Sequence, residues 1–522
     1  MKPVLTIAAT GTLALALVAC GGESGQNPVD GKTFTMVLGA DPGNLDPHFT
    51  SLAGALQVDR FLYDSLVNID EQGKLVAGLA DKWEATTTRA TFTLRKGVTC
   101  ADGSPLTAAS IAANINFVGD AKNASSRIGV FVQPGATAVG DDTAGTVTVT
   151  SPAPDAFMDR NVGSLQIVCD KGMQDRGLLK QGGVGTGMFK VTEAVAGDHY
   201  TLERRKDYAW GPGDWQSTQA GLPDKVVFRI VANEATTANL LMSKEVNAAG
   251  LVGPDRQRLE SLYRKDVLAM LGEMWFNHKA GLPGADEDVR RALVQAVDLG
   301  QLTQVMTSGT GQPATGMIAP GFGPCTEQPI GSLLPAHDLE KARSALDAAG
   351  WTAGPDGIRA KGGKRLTILL FYPPWLGPTM QASAELVQKG WSAVGAEVTL
   401  KGGTDAELSQ VVIGGQGQWD AAFVPLNVSV PSQLAPFVSG PAAPDGTNFS
   451  GIQNEAYTAA VKDAAEIAGN AGCGKWATAE EKLFERVDVV PFANSSRPLY
   501  GQGATFELSQ GSVTPGSIRM LG

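Results

Sequence analysis

Histidine, cysteine and basic charge are all scarce in this chain. Only four histidines occur in 522 residues: His48, His199, His278 and His337. No two lie within four positions of each other, so no HExxH or similar pairing is available for zinc, and no metal site is expected. GxSxG is absent, which removes the commonest hydrolase signature. Gly185-Thr186-Gly187 is followed by no Lys-Ser or Lys-Thr and completes no GxGxxG, so no phosphate loop is read there. Asp286, Glu287 and Asp288 resemble glycosidase carboxylates only by type. They precede a helical pattern and are read as its N-terminal cap. These absences argue against an enzyme and against any cofactor. The formal net charge is −11, and no run of five basic residues exists, so the footprint that nucleic acid requires is missing. No repeat of 20–50 residues and no low-complexity tract is found.

Long apolar runs are missing too, except at the start. Pro3 to Val18 is apolar and follows Lys2, yet it is too short for a comfortable membrane span. It ends in Leu17-Val18-Ala19-Cys20 and then a polar, glycine-rich stretch. This resembles a bacterial lipobox. It predicts a signal peptide over 1–19, a diacylglycerol on Cys20, a tether over 20–30, and an extracytoplasmic body anchored to the cell membrane by lipid. Apart from Cys20 the cysteines number four, Cys100, Cys169, Cys325 and Cys473. An even count suits an oxidising compartment and permits three connectivities.

Apolar residues make up 43% of the chain, enough for a large core. Thr33–Leu38 reads as the first strand. Phe92 and Leu94 alternate with threonines in a half-buried strand, and Asp102-Gly103 supplies a turn. Thr107 can cap a helix carrying Ile111, Ile115 and Val118 on one face. Asp338 can cap a second, with Leu339, Ala342, Leu346 and Ala349 in a stripe and Gly350 at C′. Leu366–Phe371 reads as a buried strand, Glu385–Val394 as a helix and Glu397–Leu400 as a strand. Strands and helices alternate, so the class is α/β or α+β.

Several short motifs occur in a fixed order: Asn44-Leu45-Asp46-Pro47-His48, Leu62-Tyr63-Asp64-Ser65-Leu66-Val67, Gly78-Leu79-Ala80-Asp81-Lys82-Trp83, Phe92-Thr93-Leu94-Arg95-Lys96-Gly97-Val98 and Asp102-Gly103-Ser104-Pro105-Leu106-Thr107-Ala108. Gly185-Thr186-Gly187-Met188-Phe189, Leu202–Tyr208, Phe276-Asn277, Val289–Leu293 and Ala296-Val297-Asp298 follow. Together, from about residue 33 to 500, the chain resembles the family 5 extracellular solute-binding proteins, the peptide/nickel-binding family of ABC importers. The resemblance implies an α/β, two-lobed periplasmic-binding-protein-like fold of the large cluster: lobe I over 31–290 with an extra subdomain at about 71–185, lobe II over 291–488, and a return to lobe I over 489–522. It implies a monomer that closes on a small-molecule solute and meets ABC permease subunits. With these lobes, Cys100–Cys169 and Cys325–Cys473 are the preferred pairs, because each stays within one lobe.

By family position, the lining residues are expected at Ser51 and Ala53, Met274 and Trp275, Trp375 and Thr379, and Phe423, Asn427 and Ser429. Trp375 could stack on a sugar or aromatic ring. Asp405 is read as a helix cap, and His48 as structural. Peptide-binding members of the family carry an Asp about nine residues beyond the Asp of a buried strand, where it receives the peptide ammonium. Here the strand Asp is Asp420 and the matching position is Ser429, with no acid between Ala421 and Asp445. Gln433 nearby is neutral too. An ammonium buried without a carboxylate costs several kcal/mol. The expectation is therefore a neutral or weakly charged polar ligand such as an oligosaccharide or glycoside. The alternatives are an oligopeptide or dipeptide, and a sensory or structural lipoprotein without transport.

Overall fold

A computed structural model describes residues 27–522 apart from Ser51, Gly183 and Val252. The predicted signal peptide, Cys20, most of the tether and the candidate Ser51 lie outside the described residues. Among the described residues, no helix is long and apolar enough to cross a membrane.

The fold is mixed α/β, built on an eleven-stranded sheet. Its order runs Glu397–Gly402, Thr367–Tyr372, Ala421–Phe423, Tyr263–Phe276, Val489–Gly501, Ala248–Gly250, Thr33–Leu38, Lys225–Ile230, His199–Arg204, Phe189–Val195, with Gln312–Pro313 paired on Val489–Gly501. Thr33–Leu38 lies parallel to Lys225–Ile230. The two long strands at the centre, Tyr263–Phe276 and Val489–Gly501, are antiparallel along their whole length, from Tyr263 opposite Gly501 to Trp275 opposite Val489.

Two main centres of packing lie at opposite ends of this sheet. Phe34, Phe61, Leu202 and Phe228 belong to the first, together with Val267 and Leu499 from the long strands. Met274, Phe276, Leu293, Leu370, Trp391 and Val490 belong to the second. The crossing between lobes thus lies inside the long strands themselves. The expected boundary at 290 falls within the helix Glu287–Gln295, whose buried apolar residues all pack in the second centre. Inserted in the first lobe is a separate four-stranded sheet, Ala80–Ala85, Arg89–Leu94, Thr146–Thr150 and Thr137–Asp141. The helix Ala108–Gly119 covers it, with Ile111, Ile115 and Val118 fully buried.

Local signals placed these elements well. Thr107 accepts a hydrogen bond from the Ser110 amide at 3.0 Å. Asp338 accepts one from Lys341 at 3.0 Å, and Gly350 follows that helix at φ +83°, where an L side chain would be strained. Asp286 caps its helix through the Asp288 amide. One helix is longer than expected. It starts at Thr379, not Glu385, because Met380 and Ala384 extend the buried stripe of Val387 and Trp391 by a further turn. Both disulfides form as expected, Cys100–Cys169 in the first lobe and Cys325–Cys473 in the second.

Candidate ligand-binding site

The lobes meet where the strand Ala421–Phe423 gives way to the helix Pro431–Val438. The Ser429 amide and hydroxyl both donate to Gln433 Oε1, at 3.0 and 3.2 Å, closing this loop on itself. Gln433 Nε2 then donates to Asn161 Oδ1 of the first lobe at 3.1 Å. Asn161 Nδ2 donates in turn to Ser432 Oγ at 3.2 Å and to both oxygens of Asp155 at 2.9 and 3.1 Å. Apolar contact surrounds this relay: Ala156 and Phe157 pack on Val430, Ala464 and Trp476. Burial pushes the Asp155 carboxyl up to about 6, against the pull of its donors Asn161 and the Phe157 amide. The two lobes therefore touch through neutral amides, and one carboxyl backs them.

The expected lining residues divide into three groups. Trp375 is 47% exposed, in a short turn that follows the strand Thr367–Tyr372. Ala53 is exposed at the first position of the helix Ala53–Leu62, and Asn427 is exposed on its loop. Asn427 is also a structural pin, since its amide accepts from the Met270 N–H at 2.9 Å and donates to the Met270 carbonyl at 3.2 Å. Ser429 and Thr379 are tied internally, Thr379 through its hydroxyl to the Met306 carbonyl at 2.7 Å. Met274, Trp275 and Phe423 are placed otherwise than expected. All three are wholly buried. Met274 and Phe423 pack in the second-lobe core, and the Trp275 indole donates to the Val424 carbonyl at 2.9 Å beside Phe449. They hold the wall up from behind.

Neither Asp46 nor Asp405 offers an ammonium anchor in place of Ser429. Asp46 is buried and paired with Arg176, whose Nε lies 2.9 Å from Oδ2. Asp405 begins a helical turn capped by Thr404. His48 is fully buried against the Gln166 carbonyl at 3.1 Å, and burial holds its imidazole down at about 3, which fits the structural role expected of it.

Two features escaped the sequence reading. Arg497, on a long central strand, sits opposite Val267, so the two side chains share a face. Among the described residues the Arg497 guanidinium has no charged partner, and burial alone lowers its pKa. The second feature is a cavity of about 580 Å³ walled entirely by the first lobe, from the Leu56–Asp70 stretch to the Glu507–Arg519 segment. None of the eight expected lining residues that are described borders it. Neither signal could be seen in advance, because both rest on residues brought together from distant parts of the chain.

A sheet shared by two lobes, an inserted subdomain and an amide-lined interface between them define a solute-binding protein of the two-lobed class. The model of "Bacterial extracellular solute-binding proteins, family 5 Middle" matches residues 74–443, and the chain belongs to that family. It is 29% identical over 424 residues to Protein XP55 of Streptomyces lividans, covering 77% of this chain and 73% of that protein. It is 26% identical over 340 residues to the glutathione-binding protein GsiB of Pectobacterium atrosepticum, covering 62% of each, so under two thirds of that relative is matched. A substrate-binding protein from Microbacterium hydrocarbonoxydans, complexed with 4-hydroxybenzoate hydrazide, superposes with a TM-score of 0.77 at 24% identity. It covers 94% of this chain and 100% of its own. The protein is thus an extracytoplasmic solute-binding component of an ABC importer.

Proposed function

We propose that the solute is a neutral or weakly charged polar molecule, an oligosaccharide or glycoside, held between the lobes. The carrying observation is Ser429. At the position expected to hold an acidic anchor, its amide and hydroxyl are engaged by the neutral Gln433. Sugar hydroxyls and ring faces suit Trp375, Asn427 and the relay behind them, and Ser51, Ala53 and Thr379 complete the proposed lining. A ligand ammonium would stay unpaired there, at a cost of several kcal/mol. Trp375→Ala is expected to weaken binding by about tenfold, in the range of one stacked aromatic. A thermal-shift screen of di- to pentapeptides, their N-acetyl forms, oligosaccharides and glycosides tests the reading. Saturable stabilisation by free peptides that N-acetylation abolishes would overturn it.

A second reading, an oligopeptide, is supported by Arg497. A guanidinium with no charged partner among the described residues suits a carboxylate, and a relative is named as glutathione-binding. Under this reading Arg497→Gln loses affinity for peptides but leaves their C-terminal amides unaffected.

The body is proposed to be anchored through a lipid on Cys20. Intact-mass analysis of membrane-extracted protein should show the diacylglyceryl adduct there; a free thiol, or cleavage elsewhere, would refute it.

A further inference from the structure

We propose that the cavity inside the first lobe is a second binding site, separate from the cleft, for a small organic acid with an apolar body. At about 580 Å³ it has the size of ordinary small-molecule sites. Leu56, Val67, Ile69, Phe131, Leu165 and Trp215 give it apolar and aromatic walls. No residue of 291–488 takes part, so a ligand here needs no closure of the lobes.

The wall carries three arginines, Arg60, Arg127 and Arg519, and five carboxylates, Asp64, Asp70, Glu71, Asp214 and Glu507. Arg60, in the last turn of Ala53–Leu62, borders the cavity. Its guanidinium makes two contacts among the described residues, to Gln510 Oε1 at 3.4 Å and Ser509 Oγ at 3.5 Å. Both come from Nη2 and both sit at the outer limit of a hydrogen bond. Nε and Nη1 are left over, and burial alone depresses the group to about 10. Arg127 also borders the cavity. Its Nε and Nη2 hold the carbonyls of Pro47 and Thr50 at 3.0 and 2.5 Å, and its guanidinium lies 5.3 Å from the centre of the Phe131 ring. Asp59, the acid that acts on it most, forms no ion pair with it. That carboxyl is wholly buried and held well above its usual range by burial.

The carboxylates of the wall do not neutralise these cations. Asp64 already accepts from the Tyr208 hydroxyl at 3.1 Å and the Trp210 indole at 3.0 Å. Glu507 pairs with Lys265 at 2.6 Å. Glu71 and Asp214 are exposed, and Asp70 spends Oδ1 on the amides of Gln72 and Lys74 in its own turn. A planar guanidinium with free N–H groups fits a carboxylate's two oxygens, and the apolar walls fit the rest of the molecule. The acids nearer solvent disfavour a second negative charge, so the class is a monoanion.

The test uses the full chain and three matched probes: phenylacetate, phenylacetamide and phenethylamine. Crystals soaked with each, and calorimetric titrations in solution, should place the phenylacetate carboxylate on Arg60 and show it binding about tenfold tighter than the amide. Arg60→Gln should erase that preference and leave the response to cleft ligands intact. Leu56→Trp, which fills the cavity and retains Arg60, should block all three probes if the glutamine variant fails to fold. Absence of phenylacetate from the cavity at its solubility limit, or equal binding of acid and amide, would overturn the proposal. So would an acid preference that survives in Arg60→Gln.

Discussion

Glu480 shows what one buried carboxyl does to the pH response of this protein. It lies on the helix Cys473–Glu485, is 6% exposed, and accepts the Met317 amide at 3.0 Å. Burial pushes it up to about 7, and the nearby charge of Glu327 adds to that shift. An acid whose pKa is raised on folding holds its proton more tightly in the native state. Its contribution is therefore most favourable below the unfolded value of 4.5, falls as pH rises from there to about 7, and is flat above. Glu480→Gln keeps an acceptor for Met317 and removes the charge. It is expected to stabilise the protein at pH 8 by up to about 3 kcal/mol and to be neutral at pH 4, as measured by urea denaturation across that range. Single residues were legible where their chemistry is local, as with the caps Thr107, Asp286 and Asp338. Trp275 and Phe423 were not, because spacing along a strand cannot tell which face meets the cleft.

Helices and strands in the second lobe are joined by the buried pair Arg290–Asp488. Arg290 is 1% and Asp488 0% exposed by side chain, with 2.9 Å between Nη2 and Oδ1. The guanidinium also holds the carbonyls of Val487, Gly284 and Arg486, and Asp488 Oδ2 accepts from the Asn454 amide at 2.7 Å. The helices Glu287–Gln295 and Glu455–Ala465 are thereby fixed to the start of Val489–Gly501. Asp488→Ala leaves that guanidinium uncompensated and should cost about 3–5 kcal/mol, readable as a lowered denaturation midpoint. Arg290 stood in the Val289–Leu293 motif, so the residue was visible at once. Its partner was not, since 198 positions separate them. The helix that begins at Thr379 was cut short for a related reason. Its first turn lacks a side-chain cap, and its apolar stripe alone carries the signal.

Across the whole molecule the two lobes are stapled separately and latched together weakly. The disulfides span 69 and 148 positions, for which loop entropy gives roughly 4–5 kcal/mol each before strain. Replacing Cys100 and Cys169 by serine, or Cys325 and Cys473, should lower the unfolding free energy obtained from denaturant titration by an amount of that order. Asn161 is the polar centre of the latch, accepting from Gln433 and donating to Ser432. Asn161→Ala should shift the free protein toward an open form, seen as a larger radius of gyration in solution scattering. An unchanged radius would show that the contact does not hold the lobes. The alternating elements and the disulfide pairing were readable from the chain, whereas the crossing point was not. It lies inside Tyr263–Phe276 and Val489–Gly501, two long strands whose register shifts around Gly272 but which lack the composition change that marks a linker. Those strands also govern how the chain matures. Val489–Gly501 fills the gap in the sheet between Ala248–Gly250 and Tyr263–Phe276. During synthesis and secretion almost the whole polypeptide must emerge before that gap closes. Until then Ala248–Gly250 and Tyr263–Phe276 each keep an unpaired edge, and the two halves of the sheet stay unjoined.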